Sequence, residues 1–547
     1  MLKVVFIYLK KCPPVLIVIF LLPAILPLTR HSFFAAHDAV WHVARFYQFH
    51  LSLVSGQFPV RWAPTLFYGL GYPAFVANFQ FPYYLMEVIY RFGFNLVDTY
   101  KIVLGLSIVG SFVFCYLFLS KIYGRFAAIV GSAVYSYSPY HFATLYARGA
   151  LGEAAAGAFV PFAFWAVTLW ADQNIYGGLL IALSVFLLIT AHPSMFLIFA
   201  PFLLLYLALL SKKLKHFTFG LLWIILGFIA SSFQTLPSIF ETKFMMFEDV
   251  YKNVYLAHFP NLHSVFRIPG GGADLGTPFQ VGIVNWLVLG WAIMIFLRSK
   301  KEFNIRGKTL ALAILAFGIG VLMMTRQSSF MWQHVPFVYD IVFPWRFLNL
   351  LVFACAIGAG FLLNRLSFKL IFGSLLVILV IFASRHYFGW VGQIPADDNY
   401  YKSYQETTTA GGEFTPKNTS PIIRYYAQPP IEVIDGDARI ADESLKPNSW
   451  QFSAEGQKDS LVKLAILNFP GWRVSVDKKA VEIIGDYQSR EKDLRGLILI
   501  KIKKGRHDIQ ASFGETKIRR IADFLSLSVL VFLALEFVRI KFRQKEN

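Results

Sequence analysis

Apolar runs of roughly 17–25 residues recur along the chain, each long enough to cross about 30 Å of hydrocarbon as a helix. Twelve spanning helices are predicted, over residues 5–28, 98–119, 126–140, 150–170, 176–191, 194–211, 217–235, 281–297, 309–325, 345–363, 369–387 and 521–539. The fifth and sixth are short and meet at "AHPS", where proline breaks the pattern. Between the eleventh and twelfth runs the pattern changes. "LVKLAIL", "WRVSVD", "LILIKIKK" and "HDIQASF" alternate with a period of two, and "FPGW" and "KKGR" supply turns. The half of that segment before them is irregular. The fold expected is therefore a polytopic α-helical membrane protein with a small β-sandwich before its last helix. Residues 1–387 form the helical module, 388–520 the soluble domain, and 521–547 a final helix with a basic tail.

Charge orients this module. "LKK", "KIYGR", "SKKLKH", "RSKKEFNIRGK", "NRLSFK" and "VRIKFRQKEN" fall on one side of the twelve-helix order. They carry about nineteen basic residues, which marks the cytoplasmic side and places both termini there. The same rule keeps "FVANFQFPYYLMEVIYRFGF" outside, lying on the membrane surface, because a span there would invert every later loop. The first external loop then runs over 29–97, and the segments 141–149, 236–280, 326–344 and 388–520 share its side. The expected location is the plasma (inner) membrane. The first run also has features of a cleavable signal, with "FFAA" as the processing site, so retention of that helix stays open.

Composition agrees. Apolar residues are 56% and charged residues 15%, with mean hydropathy +0.54, outside the soluble range. The net charge of +19 sits between apolar runs rather than on a nucleic-acid-binding face. Cys12, Cys115 and Cys355 lie in or beside apolar segments and give neither a disulfide nor a metal spacing.

Candidate chemistry clusters on the external side. "FFAAHDAVWHVARF" packs His37, Asp38, His42 and Arg45 just past the first apolar run. Asp38 is read either as a general base or metal ligand, or as a helix N-cap. Asp38 and His42 share a helix face at i,i+4, a pair able to hold a divalent ion such as Mg or Mn. Further along the loop, Arg61 and Trp62 are candidates for substrate contact, since first-loop aromatics can stack on sugar rings. "YHFATLYARGALGE" brings His141, Arg148 and Glu153 to the mouth of the fourth helix. An acid inside the membrane edge is costly unless it is paired, so Glu153 is either catalytic or the partner of Arg148. His192 sits between the two short helices, as substrate ligand or cap. "VFPWRF" places Trp345 and Arg346 at the outer start of the tenth helix; Arg346, and Arg326 at the end of the ninth, run against the positive-inside trend. Guanidinium forks suit a lipid phosphate, and snorkelling is the plain alternative. "PGGGADLG" lacks the strand and the lysine of a phosphate loop and reads as a turn.

Taken together, "HDAVWHVARFYQFHLSLVSGQFPVRWAPTLFYGLGYPAF", "YARGALGEAAAGAFVPFAFW", "LLITAHPSMF", "FQVGIVN", "FPWRFL" and "NFPGWRVSVDKKAVEI" resemble the YfhO-like membrane proteins. Some of these relatives carry the label 6-pyruvoyl-tetrahydropterin synthase-related, and they are grouped with the GT-C glycosyltransferases. The resemblance implies a GT-C-like fold with a long first external loop, and transfer of a sugar from a polyprenyl-phosphate carrier. It gives Asp38 the role of base or metal ligand. Many relatives carry two adjacent acids at that point; here Asp38 is flanked by His37 and Ala39. Pterin chemistry uses a soluble enzyme with histidine-bound zinc, and no such cluster stands out. The partners expected are a polyprenyl-phosphate-linked sugar, a glycan, lipid or protein acceptor, and membrane lipids. Two other readings compete: a lipid-linked glycan transporter, and a non-catalytic scaffold for envelope assembly. Transfer gains if Asp38, Glu153, His192 and Arg346 line one outer-face cavity beside a lipid-sized groove, and the site assignment fails if they are scattered on separate surfaces.

Overall fold

The computed structural model describes residues 21–266, 279–299, 304–385 and 392–546. Most of the first predicted span, and the glycine-rich segment Pro269–Gly276, lie outside the described residues. Each of the other eleven predicted spans coincides with a helix. Six are long and apolar enough to cross a membrane: Leu96–Tyr123, Leu151–Ala171, Pro193–Leu210, Ile305–Met323, Pro344–Arg365 and Lys517–Gln544. A seventh is a bent pair, in which Leu214–Ala230 turns by 67° into Ser232–Phe244. Gly177–Ala191, Ile283–Arg298 and Lys369–Ser384 are apolar but shorter. The segment expected to span at 126–140 is broken into the helix Arg125–Ser136 and the four-residue helix Pro139–Phe142. Ser138 precedes a proline and is extended, which ends the helix there.

Local sequence sets these boundaries. The Asn95 side chain caps Leu96–Tyr123 by accepting from the Asp98 amide at 2.6 Å, and Asn304 caps Ile305–Met323 in the same way. Gly124, at φ +89°, joins the first long helix to the next. Inside the bundle small residues let backbones approach. A Cβ on Gly131 would stand 2.9 Å from the carbonyl of Ala356 on the Leu348–Arg365 helix.

The long first loop folds over one end of the bundle. It contributes a two-residue strand β1 (Phe33–Phe34), the helix Ala39–Val54 and the ten-residue helix Phe81–Tyr90, which is too short to span. β1 pairs with β2 (Gln393–Ile394), so the chain leaving the bundle at its far end returns to this loop. Beyond it, eight strands form two antiparallel sheets. β4 (Arg439–Lys446), β5 (Ser449–Gly456), β10 (Gly505–Phe513), β7 (Trp472–Val476) and β8 (Lys479–Val481) make one, in that order. β3 (Ile431–Asp435), β6 (Ser460–Leu467) and β9 (Leu497–Ile502) make the other. The four strands expected from alternation are β6, β7, β9 and β10. The strands β3, β4 and β5 lie in the part expected to be irregular, and β4 is largely exposed, so it carries little apolar signal.

A buried charge network fastens the loop, the sheets and the last helix together. Arg61 is fully buried; it donates to Asp523 Oδ1 at 2.7 Å and to the Phe233 carbonyl at 2.6 Å, with Glu515 at 3.6 Å. Arg519, also fully buried, donates to Glu241 at 2.8 Å and to the Pro470 carbonyl at 2.9 Å. Beside it Trp62 packs edge-on against Trp472 and tilted over Phe513. Arg61 and Trp62 were expected to meet substrate. Both are instead consumed in this junction, because a buried guanidinium must be matched by acids and carbonyls.

Candidate functional site

The site grows from one buried carboxylate. Glu153 sits in the first turn of Leu151–Ala171. Its Oε2 accepts from Arg148 Nη1 at 2.7 Å, and its Oε1 accepts from Tyr140 at 2.5 Å and Asn349 Nδ2 at 2.9 Å. The Arg346 guanidinium is 3.8 Å away. Local backbone delivers each donor. A π-helical turn over Ala143–Ala147 and Gly149 at φ +63° fold Arg148 back toward the helix. A side chain at Gly149 would strike the Tyr100 hydroxyl, which donates to the Gly149 carbonyl. Asn349 is one helical turn beyond Arg346 and also holds its carbonyl.

Asp38 is strung against this cluster by the backbone. The amides of His37 and Asp38 donate to the carbonyls of Ala147 and Arg148, at 3.1 and 2.8 Å. Asp38 holds the N-cap position of Ala39–Val54, yet its side chain makes no capping hydrogen bond. Burial raises the Asp38 carboxyl above its ordinary range, against the opposing pull of Arg148, Arg45, His37 and Arg346.

A cleft enclosing about 420 Å³ opens beside the cluster. Its wall includes Asn78, Phe79, His192, Ser194, Lys243, Tyr251, Asp340 and Arg346. His192 is extended at the junction of two helices and stacks on Phe79 at 5.8 Å. Arg346 donates to the Ile341 carbonyl at 2.6 Å and lies over the Phe343 ring. Trp345 is stacked between Phe279 and Phe343, forming an aromatic flank next to the wall. Asp340, half-buried on the turn Tyr339–Ile341, is pushed up to about 6 by burial.

Of the four groups expected to line one cavity, His192 and Arg346 do so. Asp38 and Glu153 are not on the wall and stand behind Arg346. The oxygens of Glu153 accept from three donors, which suits the reading of Glu153 as the partner of Arg148. His141 lies behind it, edge-on to Tyr135, in a small cavity with Ser111, Thr144 and Asn349. Three further expected contacts are not on this wall. His42 Nδ1 bonds the Tyr83 hydroxyl at 2.8 Å, Arg45 donates to Thr408, and Arg326 is exposed on the turn Arg326–Ser328. The Asp38–His42 metal pair fits poorly. Arg45, Arg148 and Arg346 surround Asp38 with positive charge, and among the described residues no three His, Cys, Asp or Glu side chains gather as ligands.

Sequence reasoning missed Tyr140, Asn349, Asp340 and Asn78. Asn349 was within reach: a polar side chain in an apolar span, three residues from Arg346, is a site signal. Tyr140 and Asn78 carry no such pattern.

Fold and site together define a multi-helix membrane protein whose buried arginine–carboxylate cluster backs an open cleft. The chain belongs to the family of membrane proteins described as 6-pyruvoyl-tetrahydropterin synthase related domain, whose model matches residues 78–391. That stretch includes Arg148, Glu153, His192 and Arg346 and leaves out Asp38. No curated protein matches the chain. Among solved structures it is similar to the arabinofuranosyltransferase AftD from mycobacteria, at 15% identity over 68% of this chain and 26% of that one, with a TM-score of 0.45. It is also similar to the Archaeoglobus fulgidus oligosaccharyltransferase in the apo form, at 11% identity over 70% of this chain and 56% of that one, TM-score 0.41. A third is the Archaeoglobus fulgidus oligosaccharyltransferase AglB in complex with an inhibitory peptide and a dolichol-phosphate, at 11% identity over 74% and 57%, TM-score 0.33. The chain thus spans about a quarter of the first and under three-fifths of the other two.

Proposed function

We propose that this protein is a membrane glycosyltransferase of the GT-C kind. It takes a sugar from a polyprenyl-phosphate carrier at the outer face of the plasma membrane and passes it to a glycan, lipid or protein of the cell envelope. Both termini are cytoplasmic in this reading, and the β-rich region 388–520 is extracytoplasmic.

The observation that carries the reading is Arg346 on the cleft wall, backed by Glu153 and neighboured by Arg148. A departing lipid phosphate accumulates negative charge, and a preorganised guanidinium stabilises that charge without rearranging. Asp38 is the base. Its carboxyl is raised by burial, which strengthens it as a proton acceptor. In an inverting step the acceptor hydroxyl loses its proton to Asp38 and bonds to the anomeric carbon. The carbon–oxygen bond to phosphate breaks, and polyprenyl phosphate leaves toward Arg346. His192 and Asn78 supply polar contacts on the wall where a sugar would lie.

The test is transfer from a panel of radiolabelled polyprenyl-phosphate sugars by the purified full chain, with envelope extract as acceptor. Label is expected in an extract component, with polyprenyl phosphate released and the rate lowered by Arg346→Lys, which loses the planar fork. Movement of an intact lipid-linked glycan across the bilayer, with no bond broken, would identify a transporter instead.

A further inference from the structure

The cleft described above lies where Leu151–Ala171 and Pro193–Leu210 begin. A second cleft, enclosing about 370 Å³, lies where these two helices end and Leu214–Ala230 starts. At about 1.5 Å per residue, Trp170 stands about 25 Å along its helix from Glu153, close to the thickness of a bilayer's hydrocarbon. The two clefts therefore open at opposite faces of the bundle. Lys212, Lys213, Lys215 and His216 line the second one, with Trp170 and Phe219. Among the described residues lining it there is no carboxylate. Asp172, next along the chain from its wall, is paired with Lys121 at 2.8 Å.

The wall is built rather than a loose fringe of lysines. The His216 ring stacks on Trp170 at 4.9 Å and 16°. Its two nitrogens reach the Ser211 hydroxyl and the Trp170 carbonyl, each at 3.2 Å, and Trp170 Nε1 donates to the His216 carbonyl at 3.2 Å. Leu214–Ala230 begins here without a side-chain cap, so its first-turn amides add positive potential. Phe219, 47% exposed, and Leu210 give the cleft wall apolar surface, and Leu214 between Lys213 and Lys215 is 77% exposed. Three exposed ammonium groups over a hydrogen-bonded floor suit a phosphate ester, and the apolar surface suits acyl chains.

We infer that this second cleft is a binding site for the phosphate headgroup of an anionic glycerophospholipid, independent of the transfer reading. The experiment reconstitutes the full chain in phosphatidylcholine bilayers. Spin-labelled phosphatidylglycerol or spin-labelled phosphatidylcholine is added, and the motionally restricted fraction is read. Selective restriction of phosphatidylglycerol is expected. The triple variant Lys212→Gln, Lys213→Gln, Lys215→Gln should lower that selectivity by about a hundredfold in affinity, roughly fivefold per lysine. The triple arginine variant should keep it. Single glutamine variants, each expected to lose about fivefold, carry the test should the triple fail to fold. Equal restriction of both lipids, or unchanged selectivity in the glutamine variants, overturns the proposal. So does full displacement of the label by inorganic phosphate, which would assign the cleft to a free anion.

Discussion

Replacing Glu153 by glutamine should destabilise the protein by about 3–5 kcal/mol, the range for removing one partner of a buried ion pair. The side chain of Glu153 is 1% exposed and that of Arg148 is 8% exposed, so solvent cannot take over from the lost charge. Glutamine keeps the shape and one carbonyl acceptor. It leaves Arg148, formerly at 2.7 Å, and Arg346, at 3.8 Å, as neighbouring buried cations without their shared anion. The assay is reversible unfolding in mixed detergent micelles, read as a free-energy difference. A double-mutant cycle with Arg148→Gln isolates the pair. The double variant should lose at least about 1 kcal/mol less than the sum of the singles, since removing both charges removes the unpaired one. A single-variant loss under about 1 kcal/mol, or strict additivity, would refute the view that Glu153 anchors the arginines.

Arg61→Ala should cost about 3 kcal/mol or more in the same assay, because Asp523 and Glu515 lose their buried counter-charge; a change within about 0.5 kcal/mol would remove the junction from the account. Arg326→Gln should leave stability within about 0.5 kcal/mol and transfer unchanged, given its exposed turn; a clear loss of transfer would return it to the site. Asp340 and Asp38 both have carboxyls raised by burial, so between their unfolded and folded values the folded state binds more protons. Their contribution is thus fully present at low pH and is lost as pH rises, for Asp340 through about 6. Asp340→Asn should flatten the stability decline between roughly pH 4 and 6, and an unaltered slope contradicts that assignment.

The helices at eleven predicted spans were legible because long apolar runs mark a helix that satisfies its own backbone in lipid; six of them, or seven with the bent pair, are long and apolar enough to cross a membrane. Their ends were less so. The 67° turn at Ser231 has no proline or glycine at the break, and Ser232–Glu241 reads on from the helix before it. The outward strand β4 was invisible because its apolar residues Ile440, Ala441 and Leu445 follow no period of two. At the site, unusual polarity at a membrane edge pointed correctly to Glu153, Arg148, His192 and Arg346 as neighbours. It could not separate those on the cleft wall from those behind it. Arg61, Trp62, Arg45 and His42 looked equally functional in sequence. What distinguishes them is long-range: their partners Asp523, Trp472, Thr408 and Tyr83 come from other segments, and for the first three from hundreds of residues away.

The central claim is that Asp38 takes the acceptor proton. The most direct measurement is single-turnover sugar transfer by Asp38→Asn, with stability measured on the same preparation. Because the Asp38 side chain caps nothing, the variant should fold with wild-type stability or slightly above. Its transfer rate should fall by about 10²–10⁴-fold, the range for loss of a general base, while donor binding persists. Undiminished transfer in a folded Asp38→Asn protein would contradict the account.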